Sequence, residues 1–562
     1  MAKLTPMAKG LIALMILSVT AAAAWQLGVK DLVLNSGTPG DPTGTTDNTN
    51  TTNGNANANN GNNAVAASGA LGSAGNPLKV SIVSFHGYAP ALVANGNSLT
   101  TKSGSLFAKE GVNVEFLIQD DIPTLSTIFG SNTAHCAWRT SDFWAQEQPN
   151  LRNAGYDGRA VVIVDNTQGA DAVIARDPAV QSIEDLAGKS IALLEFTPSH
   201  GMVIDAIESS SLSKRKKESI QLKFINVDEG TAGVRAALEA GAVDAAAIWD
   251  PDLSLALKNT PGAHEVYSTR TATNLIYDVM VCDSRMLNDP ANDGVFGGFV
   301  AGWMAGVDAA EANPDAAVDA LVQTEEFFKL LAQEEGRDFV KGLFSNLVWT
   351  GLEDNARILG MAGSTNHYER VYRKFDGIYR AAGALADPNS PVINPQDSFD
   401  YRFIQRLVDQ SQTVQADARV PQFTFSDEGL EQATQKEAVM TKPVSVSFQT
   451  GSAELNKRAE RTIDEEMVSL IENNGSAYFE ISGNTDSTGS RGTNMRLSKQ
   501  RAEAVVAYLV SEWEFERSRF KVVGNGPDRP LCDEQNPGAE DLTLEECRAT
   551  NRSTRLAILS SN

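Results

Sequence analysis

From Pro77 onward the chain alternates short apolar runs with amphipathic stretches. LKVSIVSF, GVNVEFLIQ, AVVIVDN, SIALLEF, QLKFINVD and AAAIWD have the length and β-branched content of strands. TAGVRAALEAG has helical spacing instead, with Val234, Ala237 and Leu238 on one face and Arg235 and Glu239 on the other. Strands alternating with helices predict α/β architecture with largely parallel sheets covered on both faces, and such sheets bind ligands at the C-terminal ends of their strands. A second pattern begins at Pro443. VSVSFQTGSAEL is a predicted strand with Val444, Val446 and Phe448 alternating, and NKRAERTIDEEMVSLIENNG is a helix closed by Asn/Gly. AYFEISG, FKVVGNG and NRSTRLAILS supply further strands, which predicts a small α+β sheet with helices on one face.

The first 76 residues follow neither pattern. Lys3 and Lys9 precede GLIALMILSVTAAAAW, a basic flank and an apolar stretch. The Ala21–Ala24 run fits a signal-peptide cleavage site near Ala23, whereas the whole span from Gly10 to Val29 reaches the ~20 residues that cross a bilayer. Both readings send the rest of the chain out of the cytoplasm. Residues 36–76 are rich in Asn, Thr, Gly and Ala and almost devoid of large apolar side chains, so they cannot build a core. A tether is useful when its near end is held, which favours an uncleaved inner-membrane anchor and a periplasmic body. The expected division is 1–9 cytoplasmic flank, 10–29 anchor or signal peptide, 30–76 linker, 77–425 α/β domain, 426–442 linker and 443–562 C-terminal α+β domain.

A net charge of −24 in 562 residues argues against nucleic acid as a partner, since phosphate binding needs a basic footprint. There are four cysteines and no C-x-x-C pair, which removes zinc-ribbon and thioredoxin-like readings. Cys532 and Cys547 flank an acidic insert that a disulfide would staple after export. Cys136 and Cys282 lie in apolar runs, where either a second disulfide or two buried thiols would fit.

The predicted strand ends carry the candidate chemistry: Ser84, His86 and Tyr88 in SFHGYAP, Arg139 and Thr140 in CAWRTSDFW, Thr197 and Ser199 where a helix opens, and Trp249 with Asp250 in AIWDPD. A helix start with free N–H groups and hydroxyls is a ready anion site, and with Arg139 it favours a negatively charged ligand; the alternative for Arg139 is a salt bridge at a lobe edge. The five histidines (His86, His135, His200, His264 and His367) show no metal-ligand spacing, and Ser199 beside His200 lacks a nucleophile elbow. No metal, cofactor or catalysis is expected. In the C-terminal unit, Asp486 follows a strand in a Ser/Thr/Gly turn, and Asn494, Ser498 and Arg501 share one face of the next helix. An acid and a guanidinium held there would grip a zwitterion, or would simply pair with each other.

Two resemblances sharpen these expectations. FHGYAPALVA, FAKEGVNVEFLIQDD, SIEDLAGKSIALLE, AALEAGAVDAAAIWDPDLS and IYDVMVCDSRML, in that order, resemble the periplasmic solute-binding proteins of ABC importers, of the nitrate, sulfonate and thiamine-precursor type. The resemblance implies two α/β lobes closing on a small ligand, Val164–Asp177 as the first crossover, a return near Asp278, and a permease or membrane signalling partner. SFQTGSAEL, ISGNTDSTGS, TNMRLSKQRAEAVVAYL, VVGNGPDRP and NRSTRLAI resemble the peptidoglycan-binding domain of the OmpA family. That implies that Asp486 and Arg501 bind the diaminopimelate of the peptide stem, with Asn494 supporting and Arg552 contributing. Asn484 stands where the family commonly has His, and NRS replaces NRR.

Overall fold

The computed structural model describes residues 69–125, 127–361, 363, 365–418, 422–449 and 451–560. The expected anchor or signal peptide at 10–29, and the linker up to residue 68, lie outside the described residues. Among the described residues no helix is long and apolar enough to cross a membrane. The end of the expected linker is folded: Asn113 donates its backbone N–H to Gly72 at 2.8 Å, and Leu71 packs on the core. The first domain therefore starts by Gly69 and not at residue 77.

The chain builds one lobe, crosses to a second and returns. The first lobe opens with β1 (Leu78–Ile82), β2 (Val114–Ile118), β3 (Cys136–Thr140) and β4 (Gly158–Thr167). Gln168–Ala170 cross to the second lobe, where β5 (Asp171–Ala175), β6 (Ser190–Leu194), β7 (Gln221–Ile225), β8 (Ala245–Trp249) and β9 (His264–Ser268) form a sheet in the order β7-β6-β8-β5-β9. Thr269–Ile276 return to β10 (Tyr277–Asp283) and β11 (Leu347–Trp349), completing a first-lobe sheet of order β11-β4-β10-β3-β1-β2. The two-lobed expectation and both crossovers hold.

The sheets are mixed, however, and not largely parallel. β10 runs antiparallel to β3 and β4, and β5 antiparallel to β8 and β9, because strands at a crossover enter their sheet from the opposite end to the βαβ strands. Both faces are covered, so β3, β5 and β10 are buried along their whole length. Cys136 and Cys282 face each other across β3 and β10 and form a disulfide.

Four helices position the functional surfaces. α1 (Ser141–Asn153) follows β3 in the first lobe and α2 (Pro198–Ser209) follows β6 in the second. α3 (Asp293–Ala312) is apolar, burying Phe296, Phe299 and Trp303 on the first lobe. α4 (His367–Ala382) spans both lobes: Tyr372 donates to Gln148 of α1 at 2.7 Å, while Lys374 pairs with Asp205 of α2 at 2.6 Å.

The C-terminal sheet contains β12 (Met440–Val444), β13 (Tyr478–Asn484), β14 (Phe520–Gly526) and β15 (Thr554–Leu559) in the order β12-β15-β13-β14. Its first strand starts earlier than the hydrophobic alternation predicts, inside the expected 426–442 linker, which also holds a helix at Asp427–Ala433. Pairing with β15 sets that register, so Val446 and Phe448 lie beyond the strand. α5 (Arg491–Trp513) buries Ala502, Val505, Val506 and Leu509, as its spacing predicts. It lies so close to the sheet that a Cβ on Gly483 would sit 2.0 Å from the Ser498 carbonyl oxygen.

This domain docks on the second lobe. Ile183 donates its N–H to Val439 O, Glu184 accepts from the Thr441 N–H, and Ser213 bonds Glu540. Residues 472–476 hold the return crossover itself: Asn274 bonds the carbonyls of Glu472 (2.8 Å) and Asn473 (3.0 Å), and the Ser476 hydroxyl donates to Arg270 O at 2.9 Å. Arg370 of α4 is ion-paired with Glu472.

The contact at Gly483 is backbone against backbone and has no side chain to yield. Gly483→Ala is expected to destabilise the C-terminal domain by about 1–3 kcal/mol or more, read as an earlier urea transition. A midpoint equal to the parent's would show that α5 can shift outward freely.

Candidate functional site: the interlobe cleft and the C-terminal turn

The lobes meet on a small cavity of about 30 Å³ lined by Val83, Phe85, Trp138, Thr140, Thr167, Asp171, Pro198, Trp249, Ile276 and Asp278. Both lobes contribute. Trp138, Thr140 and Asp278 come from the first, and Asp171 opens β5 and Trp249 ends β8 in the second. Sheet register makes the charge of this site. Asp278 lies opposite Thr140 on β3 and opposite Asp165 on β4, so two carboxylates form a cross-strand pair, an arrangement that like charges destabilise. Asp165 is fully buried and neither oxygen has a hydrogen-bond partner. Gly87 leaves it room, since a Cβ there would lie 2.0 Å from Asp165 Oδ2.

Burial pushes Asp278 up to about 7, with the Tyr88 hydroxyl pulling down and Asp142 adding repulsion. Asp165 and Asp171 are raised by burial first and then by the charge of Asp278. Burial also lifts Asp142, at the start of α1, to about 6.

The expected ligand residues fare unevenly. Thr140 and Trp249 line the cavity. Tyr88 stands behind it, donating its hydroxyl to Asp278 at 3.0 Å. Arg139 does not face the cavity. It is buried against Glu147 of α1, with further bonds from its Nη atoms to the carbonyls of Leu125 (2.9 Å) and Trp138 (2.6 Å). The salt-bridge alternative is therefore the observed one, and the argument for a negatively charged ligand loses its cation. Ser84 bonds Asp120 at 2.9 Å, outside the cavity. His86 is buried between Phe85 and Phe344, its pKa lowered to about 3 by desolvation. Thr197 bonds Leu194 O at 2.9 Å, and Ser199 is buried one residue after the lining Pro198. Asp250 accepts from the Ser254 N–H and from Asn346 at 2.7 Å, a structural tie between β8 and the segment before β11. Asp165, Asp171 and Asp278 were missed, although a lone acid inside VVIVDN or IYDVMV is the costly burial that marks a site. Among the described residues no group of His, Cys, Asp and Glu is arranged to hold a metal ion.

In the C-terminal domain, Asp486 is largely buried in the turn after β13, accepting from Thr488 N–H at 3.0 Å. Asn494 holds the same turn through the Thr488 carbonyl at 3.0 Å. Asp486 pairs with Arg552 at 2.6 Å, not with Arg501. The Arg501 guanidinium lies over the Phe448 ring at 4.9 Å and donates to Ser452 O at 3.1 Å, half-buried and without a carboxylate. Acid and guanidinium thus stand on two supports with no bond between them. The Cys532–Cys547 disulfide is formed, linking the insert to α6 (Leu544–Asn551). From that insert Glu534 accepts from the Ser487 N–H and hydroxyl, from Asn551 and from Arg548. Burial alone would raise Glu534, but these hydrogen bonds outweigh it and hold it at about 2. The disulfide loop therefore braces the turn that carries Asp486.

The chain is similar to known proteins of two kinds. Residues 447–542 match the model of the OmpA family. The chain is 35% identical across 94 residues to the probable lipoprotein YiaD of Escherichia coli, covering 17% of this chain and 42% of that protein. It is 33% identical across 104 residues to the peptidoglycan-associated lipoprotein of Pseudomonas putida, covering 18% and 61%. The chain thus spans less than two thirds of these relatives. Among solved structures, the periplasmic aliphatic sulphonate binding protein SsuA from Escherichia coli aligns at 14% identity and TM-score 0.43, over 58% of this chain and 98% of its own. The periplasmic nitrate-binding protein NrtA from Synechocystis aligns at 12% and 0.44, over 61% and 90%. The lobes and their crossovers, described above, define a two-lobed α/β fold. The particular chain is that fold joined to a C-terminal segment that matches the OmpA family model.

Asp278 gives a pH test. Its folded pKa of about 7 lies above the ordinary 3.8, so the folded chain keeps its proton where the unfolded chain has lost it. The parent should lose stability relative to Asp278→Asn as pH rises from about 4 to about 7. Thermal midpoints of both proteins at pH 5, 6, 7 and 8 measure the difference; a constant gap across the series contradicts the assignment.

Proposed function

We propose that this chain is a non-catalytic solute receptor held at the cell wall: the interlobe cleft takes a small molecule, and the C-terminal domain binds diaminopimelate-type peptidoglycan. The observation that carries the receptor half is the cavity lined from both lobes, with buried polar groups in its wall that a ligand would satisfy. For the wall half it is the pair of Asp486 and Arg501, supported separately and so placed to take the ammonium and the carboxylate of one zwitterion. Arg552, now on Asp486, would keep that carboxylate oriented until the stem arrives. The relatives named above include a peptidoglycan-associated lipoprotein. The N-terminal segment 10–29 serves in this reading as an inner-membrane anchor, and a permease or membrane signalling partner receives the ligand or the message.

A structural reading also has an observation in its favour. The cavity is only about 30 Å³, close to the space of one water, as a middle domain that ties wall to membrane without a solute would allow.

Sedimentation with purified sacculi tests the wall half. Asp486→Ala and Arg501→Ala should each weaken binding by about tenfold or more, the loss of a charge-assisted hydrogen bond. Unchanged sedimentation of both folded variants refutes it.

A further inference from the structure

The cleft has the wrong sign for the anion that Arg139 seemed to promise. Asp171 and Asp278 line it from opposite lobes, Asp165 stands opposite Asp278 in the sheet, and Arg139 is already paired with Glu147. Bringing the lobes together buries these carboxylates at the same cavity, where the charge of Asp278 raises the cost of ionising both Asp165 and Asp171. Closure without a partner therefore works against their charge, and a cation between them would reverse the sign of that term. Three aromatic walls complete the cavity: Phe85 and Trp138 from the first lobe and Trp249 from the second. Aromatic faces attract ammonium groups and offer an anion nothing. Thr140 and Thr167 also line the cavity, both nearly fully buried, with their hydroxyls beside the carboxyls of Asp142 and Asp171. A hydroxyl can accept from an N–H.

We propose that the solute is a small organic amine, whose ammonium group binds between Asp171 and Asp278 against Phe85, Trp138 and Trp249, and draws the lobes together. This rests on the solute-receptor reading above. The cavity accommodates one water-sized group, which fits an ammonium head and leaves any larger remainder to a slightly wider closure. Protons compete with the amine, because the carboxylates around Asp278 (Asp142, Asp165 and Asp171), with the Tyr88 hydroxyl on it and the Arg139 charge nearby, are protonated more readily than free ones. Affinity for the amine should fall as pH is lowered from 8 to 5.

The test uses the full chain, stripped of carried ligand, with tryptophan fluorescence and thermal midpoint as readouts, since Trp138 and Trp249 form the walls. The probes are ammonium, methylammonium and putrescine chlorides, sodium nitrate, methanesulfonate and phosphate, calcium and zinc chlorides, and neutral sugars. The amines should shift the fluorescence and raise the midpoint, and Asp171→Asn and Asp278→Asn should each weaken them roughly 30-fold or more. Should one Asn variant fail to fold, the other carries the comparison. Response to an anion, a sugar or a metal ion but to no amine overturns the proposal and leaves the receptor reading standing. Amine binding that both variants keep places the site elsewhere and overturns it as well. Silence across every class of probe removes the receptor reading and this inference with it.

Discussion

The interaction on which the cleft depends is the juxtaposition of β4 and β10. These are the strands through which the chain leaves the first lobe and comes back to it, and they lie side by side in its sheet. Register then sets Asp165 against Asp278 at the base of the cleft, while the next residues across the outward crossover bring in Asp171. Carboxylates buried in adjacent strands carry a penalty that packing alone does not remove. The crossover strands and the carboxylates at the cleft are thus the same few residues.

The C-terminal domain depends on a different constraint, close approach of backbone to backbone. Gly483 and Gly524 let α5 settle onto β13 and β14, with the Ser498 hydroxyl accepting from the Gly526 N–H at 3.0 Å. That fixes the helix relative to the turn of Asp486. The acidic insert, which looks like a solvated loop, secures the other side of the turn through Glu534 and the disulfide.

Much of this was legible because it is local. Strand-length apolar runs, the helix spacing of Asn494, Ser498 and Arg501, and the position of both crossovers all survive in three dimensions. The misreadings come from pairings between distant positions. Arg139 looks free because Glu147 faces it only once α1 has folded back over β3. Val446 and Phe448 continue an alternation that β15 does not extend to meet, and Phe448 becomes the platform for the Arg501 guanidinium. Whether Cys136 and Cys282 bond depends on the register of β3 against β10, which neither sequence segment contains. The carboxylates of the cleft were visible as letters, but their convergence is a property of two strands lying in register.

The docking of residues 472–476 on the return crossover has a mechanical meaning. The C-terminal domain is joined to the second lobe by hydrogen bonds at Ile183, Glu184 and Ser213, and to the return crossover at Asn274. The described chain, by contrast, begins on the first lobe, where Gly72 and β1 sit. The two ends therefore leave from opposite sides of the cleft. A pull between a point upstream of residue 69 and one in the C-terminal domain would therefore be shared among the two crossovers, α4, and the segment that runs from Arg402 and Arg406 on the first lobe to β12.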